Sequence, residues 1–307
     1  TQSTWGQFSR FGDMSSLLPF QNDSYGGVIV EVNDPMDRDS FSTSLATSMG
    51  HWKLQGKNGV WIKLPISMAN LIETAVQQGF QYHHAEPSYL MLIQWIPQTP
   101  STLPANASHR VGIGALVLND KQELLVVKES TGHFKGTGVW KLPTGVVDEG
   151  EDLPAAAIRE VKEETGIDTE FMEVSAFRQT HKTFFDKSDL FFLCFLRPLS
   201  SLITFPPLEI ENAQWMPLQD FAAQPFTREN KLFQYMVRLS LAKLNNKYTG
   251  FSPTFLSSSF EASQSSYLFL NDIDLLNHES PTRGLSEPRV NGCKLRICHV
   301  CGHASVT

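Results

Sequence analysis

The order of apolar and polar positions predicts a first domain of alternating strands and helices between residues 25 and 100. The runs that predict strands are 28–32, 60–64 and 89–96, and the stretches typical of helices are 40–52 and 67–78. Strands that alternate with helices indicate a layered α/β arrangement. The pattern therefore predicts a βαβαβ unit with a small core of its own.

A second domain follows a Pro-containing linker at 100–106. Its predicted strands lie near 112–118, 123–127, 171–179, 189–196 and 213–217, and its closing helix near 229–244. The chain then divides into a polar leader (1–24), a first α/β domain (25–100), a second domain (106–246) and a Ser-rich tail (247–307). We expect that tail to be mostly disordered, because no apolar periodicity continues through it.

Composition narrows the classes of function. The chain has 307 residues and a formal net charge of −7, which argues against a general nucleic-acid binder with a basic face. No apolar run is long enough to cross a bilayer. The four cysteines form no disulfide framework, which favours a reducing compartment. We expect a cytoplasmic protein, with the plastid as the alternative if a transit peptide has been removed.

One segment carries a pattern typical of catalysis. Asp152 is a suitable helix N-cap, Pro154 fits the first turn, and Gly166 is the expected left-handed stop. At 100° per residue, Ala157 and Val161 fall on one side of this helix. The other side carries three carboxylates, those of Glu160, Glu163 and Glu164.

Three carboxylates on adjacent turns repel one another, and an acidic helix face is ordinarily a solvated surface. Here the preceding loop adds Gly145, Gly150 and Glu151, so that backbone carbonyls and a further carboxylate can join the cluster. Hard oxygen ligands at this density suit Mg²⁺ or Mn²⁺. Arg159 is placed to orient one of the carboxylates.

The segment resembles the Nudix box: Gly145, five residues, Glu151, seven residues, and then Arg159-Glu160-Val161-Lys162-Glu163-Glu164-Thr165-Gly166-Ile167. The resemblance implies an α/β/α sandwich with a mixed sheet, and hydrolysis of a nucleoside diphosphate linked to another moiety. It implies that Glu160 and Glu164 are the main metal ligands, that Glu163 is a third ligand or the base, and that the Gly145 carbonyl is an accessory ligand. Glu151 and Arg159 are supporting residues. Related enzymes sometimes take the base from a later loop, which leaves as candidates Asp186, Asp189, Glu209 and Glu211.

Further segments resemble the plant Nudix subgroup that acts on ADP-ribose and NADH. They are 82–87, 140–145, 176–182, 188–192 and 214–217. In this subgroup the first domain is a pre-Nudix module that resembles part of an acyltransferase fold. The candidates for stacking a base are Trp140, Phe184 and Phe185, and those for meeting phosphate are Arg178, His181 and Lys182; core packing or a solvated loop is the other interpretation of each.

Other interpretations of the sequence are weaker. Acyl transfer requires a pyrophosphate-binding loop that the first domain lacks, so we interpret that domain as a partner-binding or dimerisation module, and a homodimer is the simplest such assembly. A turn is the better interpretation of His83, His84 and Glu86 than a ligand set. The tail holds four residues that zinc can use, and incidental cysteines are the competing interpretation of Cys293, Cys298, Cys301 and His303. The competing class of function is a non-catalytic nucleotide sensor or scaffold with the same fold.

Overall fold

The computed structural model describes residues 17–257, 265–271, 296–298 and 303–305. The chain separates into two units, Thr1–Ala107 with Ser286–Thr307, and Ser108–Leu285. Residues 296–298 and 303–305 pair as two short antiparallel strands. Among the described residues, no helix is both long enough and apolar enough to cross a membrane.

Among its described residues, the first unit has a five-stranded sheet, two α-helices and a 3₁₀ turn. Its strands are β1 (Phe20–Asn22), β2 (Val28–Glu31), β3 (Gly59–Pro65), β4 (Gln81–Glu86) and β5 (Tyr89–Trp95), in the spatial order β1-β2-β3-β5-β4. Its helices are α1 (Arg38–Leu54), a 3₁₀ turn (Ile66–Leu71) and α2 (Ile72–Gln77). The predicted βαβαβ elements are all present. Strands β2 and β3 are parallel and are connected by α1, as the predicted strand–helix–strand order requires.

Helix α1 shows why these residues form the unit. Asp37 caps the helix by accepting hydrogen bonds from the backbone N–H groups of Asp39 and Ser40. Phe41 and Leu45, one turn apart, are buried against the sheet, where they join a core that also includes Trp52.

Two expectations for this unit are wrong. Leu18 is buried in the core and Phe20–Asn22 forms an edge strand, so the polar leader does not reach residue 24. The segment that contains His83, His84 and Glu86 is strand β4, with a bulge between Tyr82 and His84, rather than a turn. A bulge interrupts the period-two pattern, which explains why the alternation was hard to recognise.

In the part that the structure describes, the second unit has eight pairing strands and four helices. The strands are β6 (His109–Val117), β7 (Glu123–Glu129), β8 (Thr144–Val146), β9 (Thr169–Phe184), β10 (Lys187–Pro198), β11 (Ile210–Pro217), β12 (Ser252–Ser257) and β13 (Ser265–Leu270). The helices are α3 (Leu153–Thr165), α4 (Leu218–Ala223), α5 (Pro225–Glu229) and α6 (Lys231–Leu244). The main sheet has the order β8-β6-β10-β9, and a second antiparallel pair joins β11 to β7. The sheet is mixed, because β6 and β10 are parallel and the other pairs are antiparallel.

Alternate residues of β6 pack against helices on opposite faces of the main sheet. Ile113 and Ala115 share a core with Ala157 and Val161 of α3. Leu116 belongs to a different core, which includes Phe221 of α4 and Phe233 and Met236 of α6. Because side chains alternate along a strand, these two cores lie on opposite faces. The predicted α/β/α layering is therefore confirmed.

Part of the tail pairs in strands and packs against the second unit, which the sequence pattern did not predict. Strands β12 and β13 form a hairpin, and just before it Phe251 exchanges backbone hydrogen bonds with Val174 of β9. The ring of Phe269 packs edge-on against Phe171. The sequence pattern missed this hairpin because its strands are short and Ser-rich. The proposed zinc cluster lies outside the described side chains.

Cys194 is buried at the centre of this unit. It lies in β10 between β6 and β9, opposite Ala115 and Val174. Burial raises the pKa of its thiol to about 12. This cysteine is therefore a core residue rather than a nucleophile.

Candidate active site

The predicted ligand residues come together where strand β8 leads through a loop into helix α3. The helix starts after Asp152, which stands at the N-cap position but whose side chain makes no capping hydrogen bond, and it ends at Gly166 with φ of 71°. A Cβ atom at Gly145 would lie 1.8 Å from Cδ of Glu160. Only glycine therefore lets the Glu160 carboxyl group lie directly against the backbone of β8.

Arg159 joins three of the carboxylates. Its Nε donates to Glu151 Oε1 at 2.8 Å, and its Nη1 donates to Glu160 Oε1 at 2.8 Å and to Glu163 Oε2 at 3.0 Å. Its Nη2 donates to Glu151 Oε2 at 2.8 Å and to the Val146 carbonyl at 2.9 Å. The guanidinium thus neutralises part of the negative charge and fixes the orientation of the acidic side chains.

Glu164 lies in a more buried position than a solvated helix face would give it. Only 11% of its side chain is exposed, and its Oε2 accepts a hydrogen bond from the Thr144 N–H at 3.2 Å. Burial raises the pKa of the Glu164 carboxyl to about 7, and the positive charge of Lys141 partly offsets this rise. Glu160 and Glu164 therefore lie against strand β8, whereas Glu163 on the same helix faces solvent.

Lys141 is the buried cation beside Glu164. Its Nζ lies 2.9 Å from Glu129 Oε1 and 3.9 Å from Glu164 Oε1, and it donates to Thr144 Oγ1 at 2.6 Å. With 6% of its side chain exposed, this ammonium group is held inside the protein by two carboxylates. It links the helix to strand β7, which carries Glu129.

The other acidic residues differ in environment. Burial raises the pKa of the Glu160 carboxyl, although Arg159 opposes the rise, and the hydrogen bond from Arg159 lowers the pKa of Glu151. Glu163 is the open member, with 56% of its side chain exposed. Glu160 and Glu164 are thus carboxylates whose burial disfavours the charged form, a cost that a bound cation would offset.

The residues present suit a hard divalent cation, because every donor is an oxygen. The glycine at 145 gives the Glu160 carboxyl its place against β8, and the buried Glu164 carboxyl has one backbone donor. Within the described residues, no three acidic, His or Cys side chains are already arranged around a common point. Glu151, Glu160 and Glu163 converge on Arg159 instead, and the assignment of ligands stays a prediction.

The candidate substrate contacts are spread over the second unit. Trp140 packs against the core beside α6, its backbone N–H donates to Gln224, and Lys128 lies over its ring. Arg178 lies over the ring of Phe191 on the main sheet. His181 Nδ1 lies 2.8 Å from Ser188 Oγ.

Phe184 is half exposed at the end of β9, and the exposed Phe185 follows in the turn. Phe185 and Asp186 both have positive φ, as a two-residue hairpin turn requires. Lys182 also has positive φ, but it lies within β9, where the pairing with β10 shifts in register. Among the candidate bases, Asp186 is in this turn, Asp189 lies opposite Arg110 at the start of β10, and Glu209 and Glu211 flank Ile210.

The sequence interpretation missed a cation and a glycine of this region. Lys141 is buried, whereas lysine is usually exposed, so only the structure shows its role. Gly112 lies in β6, and its position relative to Gly145 depends on a strand pairing that the sequence does not reveal. The one available signal was the interruption of the apolar strand by two glycines, Gly112 and Gly114.

Comparison with known proteins gives matches along both units. A family model described as a Nudix hydrolase domain matches residues 18–96, and a model described as a NUDIX domain matches residues 108–236. Nudix hydrolase 2 of Arabidopsis thaliana is 55% identical over 263 residues, which cover 86% of this chain and 94% of that protein. Nudix hydrolase 10 of the same plant is 55% identical over 255 residues, covering 83% and 90%.

A human protein is also similar. Nucleoside diphosphate-linked moiety X motif 6 of Homo sapiens is 34% identical over 259 residues, covering 80% of this chain and 78% of that protein. Among solved structures, a MutT NUDIX hydrolase from Burkholderia pseudomallei is 24% identical with a TM-score of 0.36, covering 43% of this chain and 98% of that chain. The NUDIX domain of Shewanella oneidensis NrtR, complexed with ADP ribose, is 19% identical with a TM-score of 0.37, covering 48% and 93%.

Proposed function

This chain belongs to the Nudix hydrolase family, and on that premise we propose that it hydrolyses ADP-ribose and NADH in a divalent-metal-dependent reaction that releases AMP. The observation that carries the proposal is the convergence of Glu151, Glu160 and Glu163 on Arg159, with the Glu160 carboxyl against Gly145 and Glu164 buried one turn beyond Glu160. A protein that only binds a nucleotide has no need of this many carboxylates in one place.

Glu160, Glu164 and the Gly145 carbonyl would hold Mg²⁺ or Mn²⁺. When bound there, such an ion neutralises phosphoryl charge and lowers the pKa of a coordinated water. The diphosphate substrate is itself negatively charged, so neutralisation is the first requirement of the reaction. The buried carboxylates supply the negative charge that keeps the cation in place.

The protein's own residues perform the remaining tasks. Arg159 orients Glu151, Glu160 and Glu163, and so fixes the acidic side chains before substrate arrives. Glu163 is exposed enough to accept a proton from water, and we assign it the role of general base. Lys141 keeps the negative charge of Glu164 compensated inside the fold.

The substrate assignment rests on the resemblance of several segments to the plant subgroup that acts on ADP-ribose and NADH. Both compounds contain the ADP half, so a pocket for adenosine and the diphosphate serves both. We expect a higher kcat/KM for ADP-ribose than for NADH, and little hydrolysis of free ATP. The family assignment supports hydrolysis of a nucleoside diphosphate derivative, and the choice of ADP-ribose and NADH among these compounds is our proposal.

The test is a hydrolysis assay on the purified full chain with Mg²⁺, with Mn²⁺ and with EDTA. AMP release from ADP-ribose and NADH that requires the metal supports the proposal. Tight nucleotide binding without turnover of any nucleoside diphosphate derivative would establish the sensor or scaffold class instead. Turnover of a dinucleoside polyphosphate or of coenzyme A at least tenfold more efficient than both compounds would overturn the substrate assignment and leave the bond type.

A further inference from the structure

The buried ammonium group of Lys141 is shared unequally between two carboxylates. Its Nζ lies 2.9 Å from Glu129 Oε1 but 3.9 Å from Glu164 Oε1, and it donates to Thr144 Oγ1 at 2.6 Å. A separation of 3.9 Å is too long for a hydrogen bond, so Lys141 attracts Glu164 by charge alone. The closer partner of the ammonium group is therefore Glu129.

Glu129 is fixed on the side away from Lys141 as well. Its Oε2 accepts a hydrogen bond from the backbone N–H of Phe134 at 3.2 Å, in the loop that follows β7. The side chain is only 22% exposed. Because both oxygens have a partner, the Glu129 carboxylate cannot follow Lys141 toward Glu164 without losing a contact. Glu129 therefore holds the ammonium group at the end of β7.

Glu164 Oε1 gains from this arrangement. Within the residues that the structure describes, the Thr144 N–H is the one hydrogen-bond donor to the Glu164 carboxyl group, and it donates to Oε2. An oxygen that accepts no hydrogen bond keeps its lone pairs for a hard divalent cation. If Lys141 were released from Glu129, a shift of about 1 Å would bring its Nζ into hydrogen-bond contact with Glu164 Oε1.

We propose that Glu129 sets the affinity of the site for its divalent cation by keeping Lys141 away from Glu164. This inference rests on the proposed function, in which Glu164 is a metal ligand. Glu129 is then a positioning residue that acts through Lys141 and contacts neither metal nor substrate. The ammonium group and the metal compete for the same carboxylate oxygen, and Glu129 decides this competition in favour of the metal.

The test is a double-mutant cycle of Glu129→Gln and Lys141→Met in the full chain, with Mn²⁺ affinity measured by calorimetry in the absence of substrate. We expect Glu129→Gln to weaken Mn²⁺ binding about tenfold, because Lys141 then pairs with Glu164. In the Lys141→Met background the same change should weaken binding at most about threefold, as loss of a more distant charge does. Equal losses in both backgrounds would overturn the positioning role, and so would unchanged affinity in Glu129→Gln.

Glu173→Gln is the matched control. Glu173 and Lys243 form another buried ion pair of the second unit, with Nζ 2.8 Å from Oε2, and this pair joins β9 to α6. We expect this variant to bind Mn²⁺ as wild type does, and a loss equal to that of Glu129→Gln would show a general effect of breaking a buried pair. Circular dichroism checks that each variant is folded, and Lys141→Gln replaces Lys141→Met if the latter does not fold.

The Mn²⁺ dependence of ADP-ribose hydrolysis separates this inference from the proposed function. Glu129→Gln should need about tenfold more Mn²⁺ for its half-maximal rate and recover its rate at saturating Mn²⁺. A lower kcat with an unchanged Mn²⁺ requirement overturns the role in metal affinity. The expected cycle in Mn²⁺ binding, without hydrolysis of ADP-ribose or NADH, contradicts only the proposed function. Metal-dependent hydrolysis with equal Mn²⁺ affinities in wild type and Glu129→Gln overturns only the role of Glu129.

Discussion

At the scale of single residues, the notable feature is a carboxylate kept in a buried position by a few contacts. Glu164 has Lys141 at 3.9 Å and one backbone donor, and its other surroundings are those of the interior. A charge in such a place costs stability unless it is compensated. A cation bound beside Glu164 would therefore reduce the cost in stability of its buried charge.

Glu164→Gln keeps the size of the side chain and removes its charge. We expect kcat for ADP-ribose to fall by about two orders of magnitude or more, because an electrostatic contribution to the reaction is lost. Without metal, the melting temperature should stay unchanged or rise. Steady-state kinetics with Mg²⁺ and thermal unfolding in EDTA measure the two effects, and activity within threefold of wild type would show that the metal is held elsewhere.

The pH dependence of stability follows from the same group. Because the pKa of Glu164 is raised from 4.5 to about 7, the folded protein keeps a proton that the unfolded chain releases between these values. The metal-free protein should therefore lose stability as pH rises from 5 to 7, by at most about 3 kcal/mol, and change little above.

Urea unfolding in EDTA from pH 5 to 8 measures this dependence. Glu164→Gln should flatten it, whereas Glu149→Gln, a change at an exposed position of the adjacent loop, should keep the wild-type curve. An equal slope in wild type and Glu164→Gln would show that another group is responsible.

At the scale of elements, helix α3 was the most predictable part of the molecule. Its start, its Gly166 stop and the separation of Ala157 and Val161 from the carboxylates all follow from local spacing. Local spacing cannot reveal which other segments of the chain pack against each face of α3. The burial of Glu164 depends on Thr144 and Lys141, which come from segments about twenty residues away.

Strands were predictable where apolar residues ran continuously and were missed where they were short or polar. The runs of β6, β7 and β10 were found, but β8, with three residues, and the bulged β4 were not. The close approach of Gly145 to Glu160, and of Gly112 to the Gly145 carbonyl, depends on the pairing of β6 with β8. Pairing between distant segments is a tertiary property, and single-sequence patterns do not contain it.

The hairpin β12–β13 leads to a prediction about truncation. Deletion of 250–307 removes the backbone hydrogen bonds of Phe251 with Val174 and the contact of Phe269 with Phe171. We expect the melting temperature to fall by several degrees, since about 1 kcal/mol corresponds to roughly 2–4 °C in a unit of this size. Thermal unfolding measures the change.

The matched control is deletion of 272–307, which leaves the hairpin in place and should unfold near the wild-type temperature. Equal melting temperatures for the two deletions would show that the hairpin adds no stability. In both variants the carboxylates and Arg159 are retained, so metal-dependent AMP release should persist at temperatures where the fold is intact.

At the scale of the whole molecule, each unit has a hydrophobic core built from its own residues. The core of the first unit includes Leu18, Phe41 and Trp52, and the cores of the second include Ile113 and Phe221. A unit with its own core can fold alone. All the residues assigned to the metal and to the diphosphate belong to the second unit.

We therefore predict that residues 108–271 expressed alone fold and hydrolyse ADP-ribose with a kcat/KM within about tenfold of the full chain. Circular dichroism and an AMP-release assay measure the two properties. A folded fragment without activity would show that the first unit contributes to the site, whereas an unfolded fragment would show that the cores depend on each other.

The buried Cys194 allows the opening of strand β10, in the main sheet of the second unit, to be measured by alkylation. A thiol between β6 and β9 meets an alkylating reagent only when the strand separates from its neighbours. The labelling rate of the peptide that contains Cys194, followed by mass spectrometry, therefore reports how often this sheet opens. A ligand that binds only the closed form lowers the labelling rate, and it does so more strongly the tighter it binds. The labelling rate of Cys194 can therefore rank candidate substrates by affinity before any of them is cleaved.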